Sequence, residues 1–174
     1  QNLEVLGVEL SPIAIQAFFE ENGISYDKKP LGPFTLWKAK EKPLMILEGD
    51  IFLFEESPLD KLEIMDNQFF DFIYDRASLI ALPLSIRKRY YDLYKNLMND
   101  QSKVLLLTIE YDDQSFEGPP YSVNQKEITH YLENSFNINL LSSEKVQPLS
   151  SRFLESGLEE INQKVYKIEK RKQS

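Results

Sequence analysis

Residues 3–12 have the sequence LEVLGVELSP, and this stretch decides the fold. The segment from Leu3 to Leu10 is short and mostly apolar, which is typical of a strand buried in a parallel sheet. Ser11 then offers a hydroxyl that can cap a helix, and the φ angle of Pro12 is already close to the helical value. The sequence therefore predicts a strand, a tight turn and a helix, in that order.

Beyond this stretch, strand-like and helix-like segments alternate along the chain. The first helix is predicted to end at Asn22-Gly23, and further helices are predicted from Ser85 to Met98 and from Asn124 to about Glu133. The spacing of Asn124 and Glu127 resembles a capping box. The predicted strands are Phe34 to Trp37, Leu44 to Leu47, Phe69 to Tyr74, Lys103 to Ile109, Ile138 to Leu141 and Val165 to Ile168.

This alternation predicts an α/β fold built on a doubly wound, mostly parallel sheet. The last two strands, 138–141 and 165–168, are expected to pair antiparallel at the sheet edge. Segments 34–37 and 44–47 form either a hairpin or the approach to one strand, and the sequence does not separate these readings. No repeat or linker is visible in the sequence, so residues 1–174 are interpreted as one domain.

Composition argues against several classes of function. The formal net charge of −8 disfavours a nucleic-acid partner, because nucleic-acid-binding proteins present a basic face. The one local basic cluster, which is Lys167, Lys170, Arg171 and Lys172, is interpreted as a solvated tail. No apolar run approaches the roughly 18 residues of a membrane-spanning helix, and no signal peptide is recognised. We therefore expect a cytoplasmic protein with neither a nucleic-acid nor a membrane partner.

Metal and thiolate chemistry are not expected either. The chain contains no cysteine, which removes disulfides, thiolate ligands and a cysteine nucleophile. Its single histidine, His130, lies in a helical pattern without a second ligand at a suitable spacing. The sequence therefore predicts no metal site.

Polar residues follow three of the predicted strands, where ligands of doubly wound sheets bind. Glu9 ends the first strand, and an acidic residue there either accepts hydrogen bonds from ribose hydroxyls or caps the following helix. Asp50, followed by the apolar Ile51, either bonds an adenine amino group and covers the ring or forms a simple turn. Asp75 and Arg76 form either an ion pair that braces the loop or a site that brings a guanidinium to a ligand.

These strand ends belong to a longer series of short motifs. The series comprises Gly7 to Ser11, Gly49 to Phe52, Tyr74 to Ala77, Ala81 to Pro83, Arg87 with Tyr90, Tyr111, and Gly118 to Val123. In this order, and in register from about Leu3 to about Lys167, it resembles the bacterial branch of the thiopurine S-methyltransferase family. The resemblance implies a Rossmann-like class I methyltransferase that uses S-adenosyl-L-methionine. Its implied acceptor is the sulfur of a small aromatic or heterocyclic thiol.

The resemblance also implies roles for individual residues at matching positions. Glu9 is implied to bind the ribose of the cofactor, and Asp50 and Ile51 to lie along its adenine. Asp75 and Arg76 are implied at the cofactor site, where Arg76 also lines the acceptor site and is the catalytic candidate. The Gly-Pro-Pro loop is implied to cover the acceptor through Pro119, Pro120 and Tyr121.

The expected chemistry asks little of the protein. Attack on a sulfonium methyl group needs positioning and desolvation more than acid–base catalysis, and Arg76 is expected to favour the thiolate. Residues 118–121 also resemble the Pro-Pro-aromatic loop of enzymes that methylate amino groups. In those enzymes the loop follows the fourth strand, a place that Asp75 and Arg76 take here. Amino-methyl transfer is therefore disfavoured.

One part of the family pattern is not matched. The acidic ribose-binding residue usually follows a glycine-containing loop by about 20 residues, whereas only eight residues precede Glu9. Because Gln1 is not an initiator methionine, we expect a portion of a longer product, incomplete at its amino terminus and monomeric when whole. The alternatives are a halide or small-thiol methyltransferase, a selenium or tellurium methyltransferase, and a non-catalytic remnant that binds a partner through an open sheet edge.

Overall fold

The computed structural model describes residues 3–57, 62, 64, 69–112, 116–147 and 151–171. The chain divides into two compact units, Gln1–Gln68 and Phe69–Ser174. Among the described residues, each unit contains one four-stranded sheet.

The described part of the first unit includes four strands and an α-helix. They are β1 (Val5–Glu9), α1 (Pro12–Glu21), β2 (Tyr26–Leu31), β3 (Phe34–Ala39) and β4 (Leu44–Glu48). The strand order is β1-β4-β3-β2, with β1 and β4 parallel and the other neighbours antiparallel. A 3₁₀ turn follows β4 at Ile51–Glu55.

The start of α1 is the one the sequence predicts. The Ser11 side chain accepts a hydrogen bond from the backbone N–H of Ala14 at 3.3 Å, and Pro12 occupies the first helical position. The helix buries Ile15 and Phe19 against the aromatic face of β3, where Phe19 stacks on Trp37 with ring centroids 6.2 Å apart. This packing fixes α1 on the sheet, and it thereby orients the turn between β1 and α1.

The second unit holds the remaining elements. They are β5 (Phe72–Arg76), a 3₁₀ turn (Leu79–Ala81), α2 (Leu84–Leu97), β6 (Lys103–Glu110), α3 (Gln125–Leu132), β7 (Phe136–Val146), α4 (Ser151–Glu155) and β8 (Ile161–Lys170). The strand order is β5-β6-β8-β7, in which β5 and β6 are parallel and the other neighbours are antiparallel. Fully buried side chains include Tyr91, Met98, Leu106, Ile128, Leu132, Phe136, Tyr166 and Ile168.

The predicted elements are confirmed, with changes at the ends. Segments 34–37 and 44–47 pair antiparallel, so the hairpin interpretation is the right one. The last two strands also pair antiparallel, as predicted. The antiparallel portion is larger than a single edge, because β1–β4 and β5–β6 are the only parallel pairs in the described part of the chain.

Two features differ from the sequence interpretation. Strand β2 was not predicted, because its sequence YDKKPL is polar and contains a proline, which suits only an edge strand. The interpretation of the basic cluster as a solvated tail was wrong for its three described residues, since Arg171 Nε donates to the carbonyl of Phe136 at 3.2 Å. Lys167 and Lys170 lie within β8, and Lys170 Nζ donates to the carbonyl of Met98 at 2.8 Å. Lys172 lies outside the described residues.

Candidate functional site

The carboxyl ends of β1 and β4 lie side by side in the first unit. Parallel pairing sets Glu9 opposite Glu48, and the N–H of Gly49 donates to the carbonyl of Glu9 at 3.0 Å. Asp50 comes next in the chain, so both predicted cofactor carboxylates stand at the same edge of this sheet. Carboxyl ends of parallel strands are where ligands bind in folds of this class.

Glu9 and Asp50 share one arrangement. Glu9 Oε1 accepts from the N–H of Ser11 at 2.8 Å, and Asp50 Oδ1 accepts from the N–H of Phe52 at 2.9 Å. Both side chains are exposed, and the second oxygen of each has no hydrogen-bond partner among the described residues. Each carboxylate is therefore oriented by its own backbone and keeps one oxygen for a ligand. Ile51, half-buried, follows directly.

Gly49 is required by close packing at this edge. A Cβ atom there would lie 2.6 Å from Cδ1 of Phe34, closer than carbon atoms approach in proteins. The Phe34 ring packs in turn on Phe54, with centroids 5.2 Å apart. The backbone that carries Asp50 is thus held directly against the unit's aromatic packing.

Glu48, the last residue of β4, is a feature that sequence reasoning missed. Its Oε2 accepts from Trp37 Nε1 at 2.8 Å and pairs with Lys28 Nζ at 3.0 Å. The hydrogen bond from Lys28 and, to a smaller extent, that from Trp37 hold the pKa of the Glu48 carboxyl below its usual value. One partner of Glu48, Trp37, lies on β3, and the other, Lys28, lies on β2. Because β2 was not predicted, the sequence did not indicate that these three side chains meet.

In the second unit, Asp75 points into the interior. Its carboxylate is 2 % exposed and accepts hydrogen bonds from the hydroxyls of Tyr90, at 2.9 Å, and Tyr94. Oδ1 also accepts from the N–H of Leu79 at 3.4 Å. Burial raises the pKa of Asp75, although the tyrosine hydrogen bonds oppose this shift. The oxygens of Asp75 are thus used inside the unit, and its role at the cofactor stays a prediction.

Arg76 is exposed, whereas its neighbour Asp75 is buried. Among the described residues the Arg76 side chain has no ion pair and no hydrogen bond, so it does not brace the loop by pairing with Asp75. The next residue, Ala77, has a φ of 70°, a left-handed conformation that residues with a Cβ seldom adopt. Unusual backbone of this kind is concentrated at functional sites.

The Gly-Pro-Pro loop is anchored through three of its polar backbone atoms. The carbonyl of Pro119 accepts from Arg152 at 3.2 Å, and that of Pro120 accepts from the Tyr111 hydroxyl at 2.7 Å. The N–H of Tyr121 donates to the carbonyl of Ile80 at 2.6 Å. The peptide bonds that precede both prolines are cis. The three hydrogen bonds hold the loop as a fixed wall of the unit.

Arg87 connects this loop to both neighbouring helices. It is 3 % exposed, and its Nη1 reaches the Ser122 carbonyl at 3.1 Å and the Glu127 carboxylate at 2.7 Å. Tyr91 of α2 also donates to Glu127, at 3.1 Å. An open groove of about 540 Å³ beside this pair is lined by aromatic rings that include Tyr111, Phe116, Tyr121 and Tyr131. Sequence reasoning marked Arg87 by resemblance only, without its bracing role.

Two other observations bear on the classes of site considered. Within the described ranges, no group of three or more acidic or histidine side chains is placed to hold a metal ion, and His130 is exposed. Among the same residues, no helix has both the length and the apolar character needed to cross a membrane.

Comparison with known proteins identifies the family. The model of the family described as thiopurine S-methyltransferase matches residues 1–171. A thiopurine S-methyltransferase of Pseudomonas aeruginosa (strain UCBPP-PA14) is 34% identical over 170 residues, which are 98% of this chain and 73% of that protein. One from Vibrio atlanticus (strain LGP32) is 36% identical over 167 residues, or 95% of this chain and 70% of that protein.

The chain belongs to the thiopurine S-methyltransferase family. Membership makes it an S-adenosylmethionine-dependent thiol S-methyltransferase, with S-adenosyl-L-methionine as the methyl donor. The predicted fold class and cofactor are confirmed.

Solved structures support the fold. A methyltransferase from Anabaena variabilis matches with a TM-score of 0.61 and 15% identity, covering 97% of this chain and 68% of that one. An arsenic(III) S-adenosylmethionine methyltransferase from Chlamydomonas reinhardtii matches with a TM-score of 0.60 and 12% identity, covering 94% of this chain and 54% of that one. At such identities the likeness shows the Rossmann-like fold alone.

Proposed function

We propose that the acceptor is a small aromatic or heterocyclic thiol of the thiopurine type, and that Arg76 acts on its sulfur. The observation that carries this proposal is the Arg76 side chain, exposed at the carboxyl end of β5 and unpaired within the described residues. A guanidinium without an internal partner is available to a ligand, and a nearby positive charge stabilises a thiolate.

The residues of the first unit fit the nucleoside part of the cofactor. Glu9 and Asp50 each keep one carboxylate oxygen for a ribose hydroxyl or an adenine amino group, and Ile51 offers an apolar surface to the ring. The donor chemistry is suitable, because carboxylates at strand ends accept hydrogen bonds from ribose hydroxyls. When bound, S-adenosylmethionine would supply an electrophilic methyl group, and the bond from that carbon to the sulfonium sulfur would break as the new carbon–sulfur bond forms. Neither Glu9 nor Asp50 acts as a general acid or base in this proposal.

The task of Arg76 is electrostatic. The acceptor sulfur forms the new bond to carbon as a thiolate, so its proton must leave to solvent before or during attack. Arg76 lowers the free energy of that thiolate relative to the thiol. Its contribution is expected to be largest for acceptors that are weakly ionised at neutral pH. Pro119, Pro120 and Tyr121 are proposed to bound the acceptor as a fixed surface, since the loop is held at three backbone atoms.

The finer predictions on partners and compartment belong to the same proposal. A cytoplasmic location agrees with a chain that contains no cysteine, and a net charge of −8 disfavours nucleic acid. We expect a monomer. Halide, selenium, tellurium and small aliphatic thiol acceptors are the alternatives, together with a non-catalytic protein.

The first test is a calorimetric titration of the full-length protein with S-adenosylhomocysteine. Glu9→Gln is expected to weaken binding about tenfold, because a hydrogen bond to a charged acceptor is worth about 1.5–3 kcal/mol and the amide is neutral. Glu21→Gln, which removes the same charge from an exposed position on α1, is the matched control.

Two results would contradict the cofactor assignment. One is unchanged affinity in Glu9→Gln, and the other is an equal loss in the Glu21→Gln control. A panel of thiols, iodide and selenide then decides the acceptor, and turnover of aromatic thiols above the other classes is expected. Binding without turnover of any acceptor would favour the non-catalytic alternative.

A further inference from the structure

We propose that Tyr90 and Tyr94 are positioning residues for Arg76, acting through Asp75 on the turn at the end of β5. The inference rests on the proposed function of Arg76. It concerns two side chains that are buried in the second unit.

The first step is the cluster itself. Tyr90 and Tyr94 lie one turn apart on α2, are 4 % and 3 % exposed, and donate to the same oxygen of Asp75. Burial raises the pKa of Tyr94, which keeps its hydroxyl protonated and able to donate. A buried carboxylate needs such donors, because without them it would be an unpaired charge in the interior. The tyrosines therefore hold Asp75 in place.

The second step leads from Asp75 to the backbone. Its other oxygen accepts the N–H of Leu79, which is itself fully buried, so the carboxylate spans the whole turn from β5 to the 3₁₀ segment. Within that turn Ala77 has a φ of 70°. A left-handed alanine persists only where the surrounding contacts impose it. The bonds of Asp75 to Leu79, Tyr90 and Tyr94 are contacts of that kind.

The third step leads from the backbone to Arg76. Successive side chains of a strand point to opposite faces, and Arg76 accordingly points outward where Asp75 points inward. No described side chain holds the guanidinium by a hydrogen bond or ion pair. Its reach is thus set by the backbone at residues 75–77, which the Asp75 cluster fixes. Loss of both tyrosine hydroxyls should displace Arg76 without removing its charge.

The experiment compares the double variant Tyr90→Phe/Tyr94→Phe with the unchanged protein on aromatic thiols of graded acidity. If Arg76 is displaced, kcat/KM for weakly acidic thiols should fall about tenfold or more, because small misplacements of a catalytic group have effects of this order. For thiols that are already ionised, the fall should be about threefold or less, since they do not need the guanidinium to form the thiolate.

A double-mutant cycle with Arg76→Ala separates positioning from a general structural effect. In the Arg76→Ala background the two tyrosine changes should alter kcat/KM by about twofold or less, because the group they position is gone. Tyr166→Phe is the matched control: this tyrosine is 0 % exposed, and its hydroxyl has no hydrogen-bond partner among the described residues. It should retain full kcat/KM.

The outcomes are distinguishable. Equal losses from the tyrosine changes in both backgrounds, or equal losses for all thiols, would overturn the positioning inference and leave the proposed function intact. Full activity in Arg76→Ala alone would overturn the proposed function of Arg76. If the double variant does not fold, the single variants Tyr90→Phe and Tyr94→Phe are measured instead, since each leaves one hydroxyl on Asp75. Each should show a smaller loss with the same selectivity for weakly acidic thiols, and an unchanged profile in both would overturn the inference.

Discussion

The carboxyl end of β1 and the carboxyl end of β5 use acidic residues in opposite ways. Glu9 is exposed, is oriented by one backbone N–H, and has an oxygen without a partner in the described part of the chain. Asp75 is buried and is bonded by two tyrosine hydroxyls and a backbone N–H. The first arrangement is suited to hold a ligand. The second braces the turn that presents Arg76.

The difference shows that the position of an acidic residue at a strand end does not by itself define its role. What separates Glu9 from Asp75 is the element packed beside it. Asp75 faces helix α2, which places Tyr90 and Tyr94 within hydrogen-bond distance. The side chain of Glu9 has no contact of that kind in the described structure, and it bonds only to its own turn. Burial and donors, more than sequence position, decide between ligand binding and bracing.

The largest expected effect compares a buried, bonded arginine of the second unit with an exposed one. Arg87→Ala should lower the free energy of unfolding by about 3–5 kcal/mol, because it leaves the Glu127 carboxylate without its buried partner. Arg76→Ala, an identical change at an exposed arginine, should alter it by about 0.5 kcal/mol or less. Urea unfolding followed by circular dichroism measures both.

Activity should rank these two variants differently. Arg76→Ala should lose activity towards weakly acidic thiols while it stays folded. Arg87→Ala/Glu127→Leu, which removes both charges, should recover much of the stability lost by Arg87→Ala. A similar loss of stability in Arg76→Ala and Arg87→Ala would contradict the contrast between a bracing and a ligand-facing arginine.

Much of the fold follows from local sequence patterns. Ser11 and Pro12 gave the start of α1, and Asn124 with Glu127 gave the start of α3, where the Asn124 side chain accepts from the N–H of Glu127 at 2.9 Å. Each of these signals is contained within four residues. Strand β2 could not be found in this way, because its residues are polar and only its pairing with β3 makes it a strand.

The site was predictable only in part, for the same physical reason. The resemblance selected Glu9, Asp50 and Arg76, and the structure leaves all three exposed. It gave Asp75 the same cofactor role as Arg76, because a motif does not show which side chain points inward. The internal roles of Asp75 and Arg87 depend on partners 15 to 40 positions away in the chain, and no local pattern encodes such distances.

An intermediate effect is expected at the loop of the second region. Gly118 has a φ of 72°, and a Cβ there would lie 2.5 Å from the Tyr121 ring. Gly118→Ala should therefore cost about 2 kcal/mol or more of the free energy of unfolding, since the left-handed conformation alone costs about 1–2 kcal/mol. Gly23→Ala has a similar φ of 60° with open space around the new methyl group, so it isolates the backbone cost. Equal losses in the two variants, measured by urea unfolding, would show that the loop relaxes away from Tyr121.

The smallest expected effect is in the pH dependence of stability, which should have opposite signs at Asp75 and at Glu48. Burial raises the pKa of Asp75, so its contribution to stability is complete below the ordinary value of 3.8 and is lost as pH rises through the folded pKa. Lys28 and Trp37 lower the pKa of Glu48, so its contribution is complete above 4.5 and is lost as pH falls through the folded pKa.

Opposite pH dependence should follow in the matched amides. The stability lost in Glu48→Gln should be about 1 kcal/mol near neutral pH and should shrink on acidification, because the pair with Lys28 is only partly buried. The stability lost in Asp75→Asn should instead grow on acidification, because protonation of Asp75 removes the destabilising buried charge from the unchanged protein. Urea unfolding of the two variants and the unchanged protein across the acid range measures both slopes. Slopes of the same sign would mean that the tyrosine donors outweigh burial at Asp75, and that both carboxylates are held in the folded protein as stabilised anions.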